Sequence, residues 1–338
     1  MKQAIMIAPG AIEFRDIPKP SPGKGQVLIR VRRIGICGSD VHVNHGKHPF
    51  TSYPVVQGHE FSGVIESVGK GVTRLRAGMQ VTATPQEVCG TCAPCRRGDY
   101  HICDHLKVRG FQAPGCAQEW FVTEADKIVP LPASFTFEQG ALVEPVAVGV
   151  HSVSRAGRLA GRNVAVLGAG PIGNLVGQVA RSQGAKVLIT DISDFRLGIA
   201  AECGLKAVSQ AKNESLADAA GRVFGKRGFD TAFECAGVEA TLGAAVESIQ
   251  KGGTIVVVGV FGDRPRVNIG LVQDRELAIV GTLMYQLRDF VKAVRLMKSG
   301  DVVTKPLETR HFLFEAYAEG YKFVDHQADQ SMKVFIDL

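Results

Sequence analysis

The pattern of apolar and polar positions changes twice along the chain. Up to about residue 145, short β-type runs at 26–32, 63–68 and 80–84 are punctuated by Gly and Pro. That pattern predicts a β-rich domain with long loops. From about 146 to 281 the runs become continuously apolar and alternate with helical patterns. Strands are predicted at 163–168, 186–191, 230–234, 253–259 and 276–281, and helices near 172–183, 194–203 and 238–249. Apolar strands alternating with helices predict an α/β domain: a doubly wound parallel sheet covered on both faces. Two further helical patterns, near 287–298 and 313–325, precede a strand at 332–337. The expected division is residues 1–145 with 282–338 as one domain and 146–281 as the other. No internal repeat occurs, which removes solenoid readings.

At 338 residues the length agrees with about two domains. A composition of 45% hydrophobic and 21% charged residues is that of an ordinary soluble protein. The formal charge of +6 comes from scattered basic residues, so neither a nucleic-acid partner nor a polybasic membrane surface is expected. The first residues lack the features of a signal peptide, and no stretch approaches the roughly 18 apolar residues of a membrane helix. A cytoplasmic location is therefore expected. Reducing compartments disfavour disulfides, so the eight cysteines are read as metal-binding or catalytic.

Val164-Ala165-Val166-Leu167 runs straight into Gly168-Ala169-Gly170-Pro171-Ile172-Gly173. This is G-x-G-x-x-G between a strand and a helix, the context that binds a dinucleotide. Gly168 permits the turn, Gly170 lets backbone approach a pyrophosphate, and Gly173 lets the helix pack on the sheet. The helix start offers amide donors and a favourable dipole. The next strand ends in Asp191, placed to hold the adenosine ribose and to repel an extra 2′-phosphate, which favours NAD over NADP. Arg196 is placed to offset that repulsion or to stack near the adenine. Gly259, after the strand 255–258, is expected near the nicotinamide.

Cys89, Cys92, Cys95 and Cys103 form C-x₂-C-x₂-C-x₇-C. Four thiolates with no open position describe a structural zinc site. A ferredoxin-type cluster is disfavoured, because its fourth Cys follows after about three residues and precedes Pro. His101 and His105 flank the loop and are expected to be solvated. Upstream, Cys37 and the pair His59-Glu60 suggest a second, open metal site, since a catalytic zinc keeps three protein ligands and one free position.

With these motifs in this order, the chain resembles the zinc-containing medium-chain dehydrogenases over essentially its whole length. It is closer to their polyol and sugar-acid branch than to the simple alcohol branch. That resemblance implies a GroES-like catalytic domain beside a Rossmann domain, two zinc ions per chain, and an active site in the cleft between the domains. Where simple alcohol dehydrogenases supply a second cysteine, this chain has Leu142-Val143-Glu144-Pro145. By resemblance Cys37, His59 and Glu60 are ligands, with Glu144 either a ligand or the holder of a bound water; Glu60 and Glu144 remain alternatives. Cys116 is read as a packing residue.

The implied reaction is hydride transfer from a secondary hydroxyl to NAD, giving a ketone, with zinc as Lewis acid. Ser39 resembles the family's relay hydroxyl and His42 the histidine that passes the proton outward. The plainer readings are a helix N-cap for Ser39 and a surface histidine for His42. Val43 and Met284-Tyr285 depart from the sorbitol-type pocket, which puts sorbitol itself in doubt. The loop His48-Pro49-Phe50-Thr51-Ser52-Tyr53-Pro54 resembles that of sugar-acid members. There His45, Lys47 and His48 would suit a carboxylate or phosphate. The expected partner is thus a small polyol or sugar acid, with a homodimer or homotetramer as the assembly, because strand 276–281 would otherwise leave an open sheet edge. Two rivals are a zinc-free, NADPH-dependent quinone-type reductase and a non-catalytic cofactor-binding protein on the same fold.

Overall fold

The structure, a computed structural model, describes residues 1–327 and 330–338. These divide into two compact units. The first comprises Met1–Glu144, Gln286–Val294 and Glu308–Leu338, and the second Pro145–Tyr285 and Arg295–Leu307. Residues 282–285 and 295–307, read from sequence with the first domain, group with the second.

In the first unit a seven-stranded sheet is built around the strand Gln26–Gly35. That strand pairs antiparallel with Glu60–Val68, Trp120–Glu124 and Lys333–Asp337. Its apolar residues Val27, Leu28, Ile29 and Val31 are all buried. The sheet therefore brings the starts of Glu60–Val68 and Lys333–Asp337 together at the strand's end, just where Cys37 follows, while Trp120–Glu124 pairs with its first half. An N-terminal hairpin, Lys2–Ala8 with Ala11–Asp16, was not anticipated.

In the second unit six parallel strands run in the order Ala207–Gln210, Lys186–Asp191, Asn163–Leu167, Thr231–Glu234, Thr254–Val257, Ala278–Gly281. In order along the chain this is 3-2-1-4-5-6, the Rossmann arrangement, whose ligand crevice lies at the carboxyl ends of the strands where the order reverses. Every residue of Asn163–Leu167 and Thr231–Glu234 is buried, as continuous apolar runs require of strands covered on both faces. Leu167, Phe229, Ile255 and Val246 belong to one of the cores that cover the sheet. Ala278–Gly281 is a sheet edge and is largely exposed.

The 19-residue helix Phe137–Arg155 escaped the sequence pattern. It is apolar on every side and carries Pro145 within it, so it shows no 3.6-residue period. Among the described residues no helix is long and apolar enough to cross a membrane.

Candidate functional site

The first group of ligand-type side chains forms where the central strand of the first unit ends. Gly35 pairs with Glu60 on one neighbour and with Phe335 on the other. The Cys37 sulfur, a His59 ring nitrogen and a Glu60 carboxylate oxygen all lie within 4.8 Å of one another. Gly35 is glycine for a local reason: a Cβ there would sit 2.5 Å from Glu60 Oε2.

Two residues that the sequence did not single out hold this group in place. Lys333 Nζ donates to Glu60 Oε1 at 2.7 Å and to the Ile36 carbonyl at 3.3 Å, and it also contacts Glu60 Oε2. Both partners are buried, at 3% and 1% exposure. Burial alone would favour losing the Lys333 proton, but the Glu60 carboxylate, with Cys37 and Glu144 behind it, raises its pKa. The one signal available in sequence was a lysine inside an apolar strand, Val334-Phe335-Ile336 being its neighbours. The second residue, buried Asp40, accepts from the Cys37 amide through Oδ2 at 3.0 Å. Its Oδ1 faces His59 Nδ1 at 3.5 Å, which orients the ring and leaves Nε2 for a metal.

The donor set of the group suits a cation. Burial opposes charge on His59, yet Asp40 and Cys37 outweigh it and lift the imidazole well above its usual pKa. Burial and the nearby Glu60 push the Cys37 thiol up. Those shifts favour the proton on both groups while no metal is bound. As metal ligands Cys37 must be a thiolate and His59 neutral, and the thiolate with the Asp40 and Glu60 carboxylates then faces only the one positive charge of Lys333. A divalent cation balances the remainder, and thiolate, imidazole and carboxylate suit zinc.

Glu144 is buried in the helix Phe137–Arg155, but its carboxylate is not among the three gathered atoms. The expectation of Ser39 as a helix N-cap is overturned. Cys37 occupies that position before the helix Gly38–Asn44, and Asp40 reaches back to its amide. Ser39 is half-buried in the first turn, while His42 is exposed in the last. The Cys116 sulfur is buried and packs against Gly58.

The second group is Cys89, Cys92, Cys95 and Cys103, whose sulfurs also lie within 4.8 Å of one another. Backbone amides are aimed at the sulfurs: Cys92 at Cys89 (3.3 Å), and Cys89 and His105 at Cys103 (3.4 and 3.3 Å). Amides of Thr91 and Cys92 pull the Cys89 thiol down to about 5, whereas desolvation and the neighbouring thiols push Cys95 up to about 12. Amide donors stabilise thiolates, and four thiolates this close need a cation between them. His105 is exposed as expected, but His101 is not. Its ring is buried, with Nδ1 2.9 Å from Gln286 Nε2, and Gln286 also donates to the Gly98 carbonyl at 3.1 Å. Tyr100 Oη accepts the Leu287 amide at 2.8 Å, so the loop caps the start of the helix Leu287–Ser299.

In the second unit Gly170 is the N-cap of the helix Pro171–Ser182, and Ile172 lies in its half-buried first turn. A Cβ on Gly173 would collide with the Gly168 carbonyl at 1.9 Å, so close helix–strand packing excludes any side chain. Gly170 is different. Its φ of −60° suits any residue, and a Cβ would meet nothing within 4 Å. The protein itself does not require glycine there; a ligand lying against the turn does. Asp191 Oδ2 accepts the Ala169 amide at 2.6 Å and Oδ1 the Ser193 amide at 2.9 Å. The acid is thus anchored beside the glycine turn. Arg196 stands in the first turn of the helix Asp194–Glu202, its amide 3.4 Å from the capping Ser193 hydroxyl. The Gly259 amide donates to the Glu234 carbonyl at 2.8 Å, just past the carboxyl end of Thr254–Val257.

Residues 23–133 match the alcohol dehydrogenase GroES-like domain, and residues 171–299 match the zinc-binding dehydrogenase domain. The chain is 37% identical to the 2-dehydro-3-deoxy-L-galactonate 5-dehydrogenase of Pseudoalteromonas atlantica, over 85% of this chain and 84% of that protein. It is 34% identical to sorbitol dehydrogenase 2 of Saccharomyces cerevisiae, over 96% and 94% respectively. The chain belongs to the zinc-binding alcohol dehydrogenase family. Two solved structures support the fold of this dehydrogenase. A structure described as a short chain alcohol dehydrogenase from Escherichia coli CFT073, complexed with NADH, superposes with a TM-score of 0.92 at 27% identity, covering 100% of this chain and 99% of that one. A zinc-binding dehydrogenase from Sinorhizobium meliloti bound to NADP gives 0.90 at 28%, again covering 100% and 99%. The first matched segment contains both ligand groups of the dehydrogenase, and the second contains Gly173, Asp191 and Gly259.

Proposed function

We propose that this dehydrogenase oxidises a secondary hydroxyl of a polyol or sugar acid to a ketone, with NAD as hydride acceptor and two zinc ions per chain. The observation that carries the reading is the gathering of Cys37, His59 and Glu60 ligand atoms within 4.8 Å, in a chain that also bears a dinucleotide turn. Relatives named for sorbitol and for a sugar acid supply the substrate class.

Bound zinc would supply Lewis acidity at the substrate oxygen. Cys37, His59 and Glu60 are the proposed ligands, with Asp40 orienting the imidazole. Lys333 fixes the Glu60 carboxylate and offsets part of its charge, so Glu60 would be a weaker donor to a metal than Cys37 or His59. Glu144 is assigned to the substrate side as a hydrogen-bond acceptor. Ser39 and then His42 conduct the hydroxyl proton outward, a role that suits an exposed histidine. Cys89, Cys92, Cys95 and Cys103 are assigned a structural zinc, which stabilises a loop of little hydrophobic content.

The NAD preference rests on Asp191, which adds a negative charge where NADP would carry its 2′-phosphate. Asp191→Asn keeps one acceptor oxygen and removes the charge. The ratio of kcat/KM for NADP to that for NAD should then rise by ~10–100-fold. An unchanged ratio would remove Asp191 as the selector. The assembly is proposed to be a homodimer, or a tetramer built from it, through the exposed edge strand Ala278–Gly281. Ile279 is 38% exposed there. Light scattering on Ile279→Lys should give a monomer mass where the parent protein gives a dimer or tetramer. Identical masses would move the interface elsewhere.

A further inference from the structure

The loop before the Gly-His-Glu box carries three basic residues, and their surroundings separate them. His45 Nε2 lies 3.0 Å from the Asp325 carboxylate, on the helix Tyr317–His326. Lys47 is exposed. His48 is half-buried, and its ring lies flat on Phe111 with centroids 4.6 Å and planes 14° apart. Phe111 in turn lies 4.9 Å from the ring of His59. One aromatic ring therefore separates His48 from a proposed metal ligand.

The His48 ring is fixed in rotation as well as position. Thr51 Oγ1 is 2.7 Å from Nδ1, and Phe50, 72% exposed, stands edge-on at 6.3 Å. No partner occupies Nε2 among the described residues. A clamped imidazole with one nitrogen occupied presents a single hydrogen-bonding point of defined direction. Burial lowers its proton affinity more than the Asp40 carboxylate raises it, and His42 and His59 lower it further. A neutral imidazole exchanges one hydrogen bond with a hydroxyl and offers no charge to a carboxylate.

We infer that His48 is a specificity-determining residue, whose Nε2 binds an uncharged hydroxyl of the substrate away from the carbon being oxidised. This rests on the polyol reading above and narrows it: the end of the substrate held by the loop is neutral, in place of the carboxylate or phosphate that three basic residues suggested. Thr51 sets the tautomer. When its hydroxyl donates to Nδ1, the proton resides on Nε2, which then donates to the substrate oxygen.

The test uses zinc-loaded enzyme with saturating NAD, comparing sorbitol, xylitol and galactitol with 2-butanol, which has no second hydroxyl, and with L-idonate as the acidic probe. His48→Ala should lower kcat/KM on the preferred polyol by ~10–100-fold, the loss expected for one hydrogen bond in a desolvated site. On 2-butanol the loss should be within about threefold, and His48→Gln, which keeps a donor and an acceptor, should recover most of the polyol activity. Equal losses on polyol and 2-butanol, or none on either, would overturn the assignment. A loss confined to L-idonate would show that the loop binds charge and would overturn it too. If the unsubstituted enzyme has no preference for any polyol over 2-butanol, the polyol reading itself fails and this role falls with it.

Discussion

Replacing Cys37 by serine is expected to lower the zinc content from two ions per chain to one and to cut turnover by on the order of a thousandfold or more. The magnitude follows from losing a Lewis acid that lowers the barrier by several kcal/mol. NADH binding should persist, because the glycine turn and Asp191 belong to the other unit, where Asp191 is held by the Ala169 and Ser193 amides. Cys92→Ser is the matched control. It should also remove one zinc, but its damage should appear as a lower melting temperature and faster hydrogen exchange at the start of Leu287–Ser299, where Tyr100 and Gln286 make their contacts. Metal analysis, fluorescence titration with NADH and initial rates decide between these outcomes. Turnover surviving in Cys37→Ser would sink the proposed site.

The second large effect is predicted at Lys333. Lys333→Met leaves the Glu60 carboxylate buried without its partner, and breaking a buried pair in this way costs ~3–5 kcal/mol. For a unit of this size the corresponding fall in melting temperature is ~6–20 °C, best measured after the metal has been removed so that zinc cannot replace the lysine. Removing both charges should be far milder. The double variant Glu60→Gln, Lys333→Met is therefore expected to regain most of the lost stability. The sign of the pH dependence is fixed by the raised Lys333 pKa. The pair contributes fully below the usual lysine value of 10.5 and is lost as pH rises through the raised folded value. A comparison near pH 7 therefore reads the pair intact. If Lys333→Met melts with the parent protein, the ion pair has been given too much weight.

What could be read from sequence followed distance along the chain. The four-cysteine loop and the glycine turn each lie within 15 residues or fewer, so spacing alone reports their geometry. The strand Lys186–Asp191 was also predicted to the residue, because its apolar run ends on a turn. Lys333 and Glu60 are 273 positions apart, and no local pattern joins them. His101 was misread for the same reason, since its burial depends on Gln286, 185 positions away. The short strand Ala207–Gln210 and the helix Leu216–Phe224 that follows it were missed too. Four residues with a single fully buried side chain give no alternation to detect.

The ion pair across 273 positions also sets an order of events during synthesis. At ~5–20 residues per second, tens of seconds pass between the emergence of Glu60 and that of Lys333. Throughout that interval the nascent chain carries a thiol, an imidazole and two acids whose counter-charge has yet to be translated. The four-cysteine loop, complete within 15 residues, can capture the zinc proposed for it almost as soon as it leaves the ribosome. The two proposed metal centres are thus expected to mature at different times, the four-cysteine one early and that of Cys37, His59 and Glu60 only after the Rossmann unit has been made.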